Sequence, residues 1–258
     1  MYFTQIQRTG SRAFGVRLLS TIFMSTTCSA FAAPPFVTDD PEPVEYQHSE
    51  LHIAYQLTKT KDGRTGAMPQ IEYNYGPVPD VQVGITIPYG FSSPGLGKST
   101  TGIGDIGLSL KYRFMQESDN SPMVAIFPVL ITHTGDNRKG LGVGGAQLFL
   151  PIWIQKRWGE WQSYGGGGYW ISHAPDIKNH WFAGWLVQKD ISAQFTVGGE
   201  IFHTTEQTNG QGSSTGFNVG GYYNFDEHNH LLYSVGKGLQ NTNLTNQFSL
   251  YLGYESTW

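Results

Sequence analysis

The chain has 258 residues, 16 basic and 20 acidic side chains, a formal net charge of −4 and only 14% charged residues, where globular chains carry about 25%. Aromatics reach 14%, 33 residues are glycine and mean hydropathy is −0.30. No apolar run of about 20 residues follows the N-terminal stretch, which excludes a helical membrane bundle, and the aromatic and β-branched content excludes a disordered chain. This combination fits a transmembrane β-barrel.

Arg8, Arg12 and Arg17 precede a short apolar stretch, and Ala30-Phe31-Ala32 is an A-x-A cleavage pattern. Residues 1–32 are expected to be a secretory signal peptide. Its removal takes three basic residues and no acids, leaving a mature chain of about 226 residues and charge near −7. The single cysteine, Cys28, lies in that leader. The mature chain then has no disulfide, thiolate metal site or cysteine nucleophile. Its negative charge argues against nucleic acid as a partner.

The first mature segment, 33–48, carries Asp39, Asp40, Glu42 and Glu45 among four prolines. It cannot be a strand. It either dangles in the periplasm or folds back into the periplasmic mouth; Lys111 and Arg113 are expected near that mouth, and opposite charge favours docking there as a partial plug.

From residue 49 onward the chain alternates with period 2. Ile106, Leu108, Leu110, Tyr112 and Phe114 share one face; Asp105, Gly107, Ser109, Lys111 and Arg113 share the other. Similar alternation gives about twelve antiparallel strands in an all-β, up-and-down barrel, an even number as bacterial barrels require. They are roughly 49–58, 68–76, 80–91, 103–115, 122–133, 146–156, 160–171, 180–189, 192–203, 215–225, 230–237 and 246–258. Connections after the even strands are short; those after the odd strands are mostly longer and polar. That alternation assigns the short turns and both chain ends to the periplasm. Tyr75, Phe114, Trp158, Trp161, Phe225 and Trp258 are expected in a periplasmic girdle, and Tyr89, Phe91, Tyr169 and Trp181 in an outer one. Pro88, Pro128 and Pro151 lie inside predicted strands, where a missing N–H predicts a bulge or bend. Segments 122–133 and 146–156 are apolar on both faces, which leaves their register open. The glycine run 165–168 either opens lumen space or lets a neighbouring side chain lie flat.

Glu50, Glu72, Asp105, Lys111, Arg113 and Glu200 fall on the polar face of otherwise apolar strands. In lipid a midplane base costs roughly 2–4 kcal/mol, so these groups must face water or one another. They form either a pore lining that filters solutes or a salt-bridge network filling a narrow barrel.

Pro35-Phe36-Val37-Thr38-Asp39-Asp40-Pro41, Val44-Glu45-Tyr46, Ile87-Pro88-Tyr89, and Gly102-Ile103-Gly104-Asp105-Ile106-Gly107 leading to Lys111-Tyr112-Arg113-Phe114 together resemble the bacterial outer-membrane family labelled "MetA-pathway of phenol degradation". The resemblance implies an outer-membrane barrel that passes small, apolar or aromatic compounds. It carries over no catalytic or binding residue.

Other motifs fail on context. Gly102-x-Gly104-x-x-Gly107 is followed by a strand, whereas the dinucleotide fingerprint needs a helix. His228 with His230, and His48 with His52, lack a third ligand at usable spacing. No metal or cofactor is expected. The leading expectation is passive passage of a small solute through a channel in the outer membrane of a Gram-negative-type bacterium. Phe248 to Trp258 resembles the terminal signal read by barrel-assembly machinery, so that machinery and outer-membrane lipid are expected partners. A structural or adhesive barrel is one rival. A lipid-modifying enzyme, with Ser172 beside His173 or His203 beside Thr204, is another.

Overall fold

The computed structural model describes residues 34–258; the expected signal peptide and Cys28 lie outside the described residues. Strands β1 (Ser49–Thr60), β2 (Gly63–Val78), β3 (Val81–Pro94), β4 (Thr100–Ile103), β5 (Gly107–Met115), β6 (Met123–Ile126), β7 (Val129–Ile131), β8 (Gln147–Trp158), β9 (Trp161–Ser172), β10 (His180–Asp190), β11 (Phe195–Thr204), β12 (Ser214–Asn224), β13 (Asn229–Gln240) and β14 (Phe248–Thr257) follow in order. β4 with β5, and β6 with β7, are two halves of interrupted staves. The barrel therefore has twelve antiparallel staves, each paired with its sequence neighbours. It closes where β1 meets β14, in unbroken register from Glu50↔Thr257 to Lys59↔Phe248. The Ser49 and Trp258 backbones bond reciprocally at the end of this seam. Closure removes the unpaired edges that lipid cannot solvate.

The outward face is as expected. Ile53, Ile71, Leu108, Leu110, Leu252 and their neighbours are exposed on the outer wall, where they meet acyl chains. Trp158, Trp161, Phe225 and Trp258 stand exposed near the short turns, and Tyr89 and Trp181 near the long loops. The first outer connection is shorter than the expected 59–67 loop. β1 and β2 pair as far as Thr60↔Gly63 and leave a turn at Lys61 and Asp62.

The prolines act differently from one another. Pro128 splits its stave, because a residue without an N–H cannot complete the ladder; its carbonyl still accepts from Leu110. Pro88 stays in β3, opposite a register shift in β2 at Met68-Pro69 and opposite the break at 104–106, where Gly104 donates to its carbonyl. Pro151 stays in a continuous β8, paired with Gly168, so no bulge forms there. The glycine run serves flat side chains on both faces. A Cβ at Gly165 would meet Trp185 at 2.4 Å on the outside, and one at Gly166 would stand 3.0 Å from Trp153 on the inside.

The inward face departs from the expectation of a uniformly hydrophilic lining. Across β6 to β10 the inward residues include Phe127, Val129, Ile131, Phe149, Trp153, Trp170 and Phe182, which form one buried cluster with Val37 and Phe202 against it. Segments 122–133 and 146–156 are apolar on both faces because one face meets lipid and the other this cluster. Phe149 stacks on Trp170 at 4.5 Å and meets Phe182 edge-on at 6.1 Å. Such pairs add about 0.5–1.5 kcal/mol each beyond area burial.

Candidate functional site: the lumen and its N-terminal segment

Residues 34–45 run inside the barrel. Their prolines remove main-chain donors that would otherwise need partners inside the barrel. Asp40 and Glu42 N–H donate to the segment's own Asp39 and Asp40 carboxylates, and Val37, Thr38 and Val44 find wall side chains. Val37 and Thr38 N–H donate to the two oxygens of Glu200, both at 2.7 Å, and Asn218 Nδ2 donates to the same carboxylate at 2.6 Å. Val44 N–H donates to Gln82 Oε1 at 2.9 Å. The Tyr222 hydroxyl donates to the Pro34 carbonyl at 3.1 Å. Phe36 is buried against Tyr164 and Leu186. Thr38 fits over Gly184, where a Cβ would stand 2.2 Å from Thr38 Oγ1.

Charge fixes the segment at the opposite wall. Lys111 Nζ donates to Asp39 Oδ1 at 3.0 Å, to Asp40 Oδ1 at 3.5 Å and to the Glu42 carbonyl at 3.2 Å. It also lies 4.7 Å from the centre of the Phe127 ring. Asp39, Asp40, Lys111 and Glu200 thus come together around the segment. Glu42 contributes its main chain. Glu45 is exposed, outside the packed part, and its carbonyl accepts from His48.

The other predicted lining residues separate into three roles. Glu50 and Glu72 share Asn74, whose Nδ2 donates to them at 3.1 and 3.0 Å. Arg113 does not join the lumenal network. It reaches the β2–β3 turn, with Nη2 2.7 Å from Asp80 Oδ1, and this hydrogen bond holds the Asp80 carboxyl below the usual carboxylate range. Asp105 does not line a strand at all, because its stave is interrupted at 104–106. Its carboxylate instead accepts Gly135 N–H and Val143 N–H, both at 2.8 Å, and ties the 132–146 loop to the wall. Period-2 reading missed this because it assumes an unbroken ladder.

Cavities open along the lumen, two of them against the segment. One of about 200 Å³ lies among Phe36, Val37, Trp170, Phe182, Phe202 and Tyr251, with polar residues toward the loops. One of about 110 Å³ lies under the Asp105-tethered loop, beside Leu141. The third, about 270 Å³, is polar and lies between the segment and the barrel seam. Ser172 Oγ donates no bond to His173; it accepts from Gln147 Nε2 and Ala174 N–H. His203 Nδ1 pairs with Thr215 on the exposed face.

No protein-family model and no curated protein matches this sequence. Solved structures do match the fold. The COG4313 outer membrane channel from Pseudomonas putida F1 superposes with a TM-score of 0.73 at 16% identity, covering 85% of this chain and 98% of that one. The KdgM porin in complex with disordered oligogalacturonate gives 0.55 at 8% identity, covering 80% and 99%. The NanC porin gives 0.56 at 8% identity, covering 80% and 98%. The chain has the closed twelve-stave fold of outer-membrane channels and porins.

Proposed function

We propose that this protein is an outer-membrane channel that passes small apolar or aromatic solutes by passive diffusion, with residues 34–45 as a lumenal plug. The observation that carries this reading is the aromatic cluster that β6 to β10 turn toward the lumen. Porins that pass hydrophilic solutes have polar interiors, whereas Phe149, Trp153, Trp170 and Phe182 present an apolar patch to the lumen and to Val37 of the segment. The cavity of about 200 Å³ beside Phe36 is large enough for a single ring, against roughly 150 Å³ for a cavity that holds benzene, and its wall mixes Phe36, Trp170, Phe182 and Phe202 with Thr204, Gln207, Ser214 and Asn218. The sequence resemblance to the "MetA-pathway of phenol degradation" family supports the same solute class, as does the shared fold with channels. Glu200 and Lys111 are then plug anchors. In this reading the outward aliphatic wall takes outer-membrane lipid, and the segment Phe248 to Trp258 is the assembly signal. A lipid-modifying activity has less support, since Ser172 and His203 engage other partners.

Liposome swelling with a panel of single-ring aromatics and sugars tests it. Faster entry of the aromatics is expected, and equal exclusion of every solute would favour a structural barrel. Removing residues 33–47 should raise single-channel conductance; unchanged conductance would count against a plug.

A further inference from the structure

One level of the barrel carries an unusual row across the seam. Register pairs His230 of β13 with Glu255 of β14, Glu255 with His52 of β1, and His52 with Glu72 of β2. All four side chains point inward. Glu50, two residues before His52 and on the same face, brings Oε2 to 3.3 Å from His52 Nε2. One ligand-type atom each from Glu50, His52 and Glu255 lies within 4.8 Å of the other two.

We propose that Glu50, His52 and Glu255 bind one divalent cation of the zinc or manganese class, joining the first and last strands of the barrel. The donor chemistry is one imidazole nitrogen with two carboxylates, a mixed set that suits such ions rather than thiophilic ones. Ligand bonds of about 2.0–2.2 Å at tetrahedral angles put donor atoms roughly 3.4 Å apart; the His52–Glu50 pair already stands at 3.3 Å, and Glu255 must move inward by up to about 1 Å to join it.

Three further observations point to a positive ligand. The 270 Å³ cavity in front of these residues is lined by six carboxylates, those of Asp39, Asp40, Glu42, Glu50, Glu72 and Glu255, against one lysine, Lys111. Like charges gathered in a low-dielectric site repel unless a proton or cation sits among them. Asp39, 1% exposed, lines this cavity and leaves Oδ2 with no hydrogen-bond partner. The cavity also has room for the waters that complete the shell of a three-ligand site. The ion offsets the acidic chamber and ties β1 to β14 at the one place where strands distant in sequence must pair. This inference does not rest on the solute that the channel passes.

The test uses the untagged mature protein in detergent, stripped with chelator and titrated with zinc chloride by calorimetry at neutral pH. One equivalent should bind, and the thermal unfolding midpoint should rise, since a ligand that binds only the folded state stabilises it by mass action. Glu255→Gln and His52→Gln should each weaken binding at least tenfold and abolish the rise. Heat-dependent gel mobility checks that each variant is folded, and Glu50→Gln replaces any that is not. Cobalt(II) absorption should show an imidazole-containing site in the wild type that is lost in the His52 variant. Absence of saturable zinc binding to the folded wild type, or binding unchanged in both folded variants, overturns the proposal.

Discussion

Lys111 Nζ stands 3.0 Å from Asp39 Oδ1, across 72 residues of sequence, and both side chains are at most 4% exposed. Removing one member of a buried pair leaves the other charge uncompensated, at a cost of about 3–5 kcal/mol. Lys111→Met should therefore release the N-terminal segment from the polar wall while the barrel stays closed. Protease cleavage within residues 34–45 and higher single-channel conductance are the expected readings. A variant with wild-type protection and conductance would show that the pair does not hold the segment.

Gly184 is the opposite wall of the same seat. Because Thr38 is fully buried there, Gly184→Ala forces one of the two to move, and overpacking of this kind costs about 1–3 kcal/mol. Opening of the lumen is expected without loss of the folded barrel, as read by conductance and heat-dependent gel mobility. Thr38→Gly in the same chain should restore the closed state by removing the clashing side chain.

Asp105 secures the long loop by two charge-assisted hydrogen bonds, each worth about 1.5–3 kcal/mol. Asp105→Ala should raise amide exchange across residues 134–145 by more than tenfold and leave exchange in β8 and β9 unchanged. Uniformly faster exchange would point to general destabilisation instead.

Phe182 meets Phe149, Trp153 and Phe202. Truncation to alanine costs about 3–5 kcal/mol for a buried aromatic and enlarges the adjoining cavity. Flux of single-ring aromatics should change relative to sugars in liposome swelling. Parallel changes for both solute classes would remove the aromatic wall from the selectivity argument.

The Arg113–Asp80 tie gives a pH dependence at the periplasmic turn. The Asp80 carboxyl is lowered in the folded chain, so its contribution is present above the ordinary aspartate value and disappears as pH falls through the lowered one. Protection factors at Val81 and Gln116, taken against the intrinsic exchange rate at each pH, should fall on acidification below about pH 4, and Asp80→Asn should remove that fall.

Alternation of apolar and polar residues carried the strand count, the inside–outside assignment of the outer wall and the girdles, because period 2 is a local property that lipid enforces on one face. The charge complementarity between 33–48 and Lys111 was legible for the same reason: both depend on composition near a mouth whose side the turn lengths assign. Sequence offered no means to see that β6 to β10 face an aromatic lumen, since apolar residues on two faces look alike until curvature decides which is inside. It assigned Asp105 to a strand because the break at 104–106 arises from Pro88 on a neighbouring stave. Glu255 and His52 were unrelated letters about two hundred positions apart; closure of the barrel made them opposite partners. Lipid sorts side chains residue by residue, whereas a constellation inside a cylinder exists only after its ends have met.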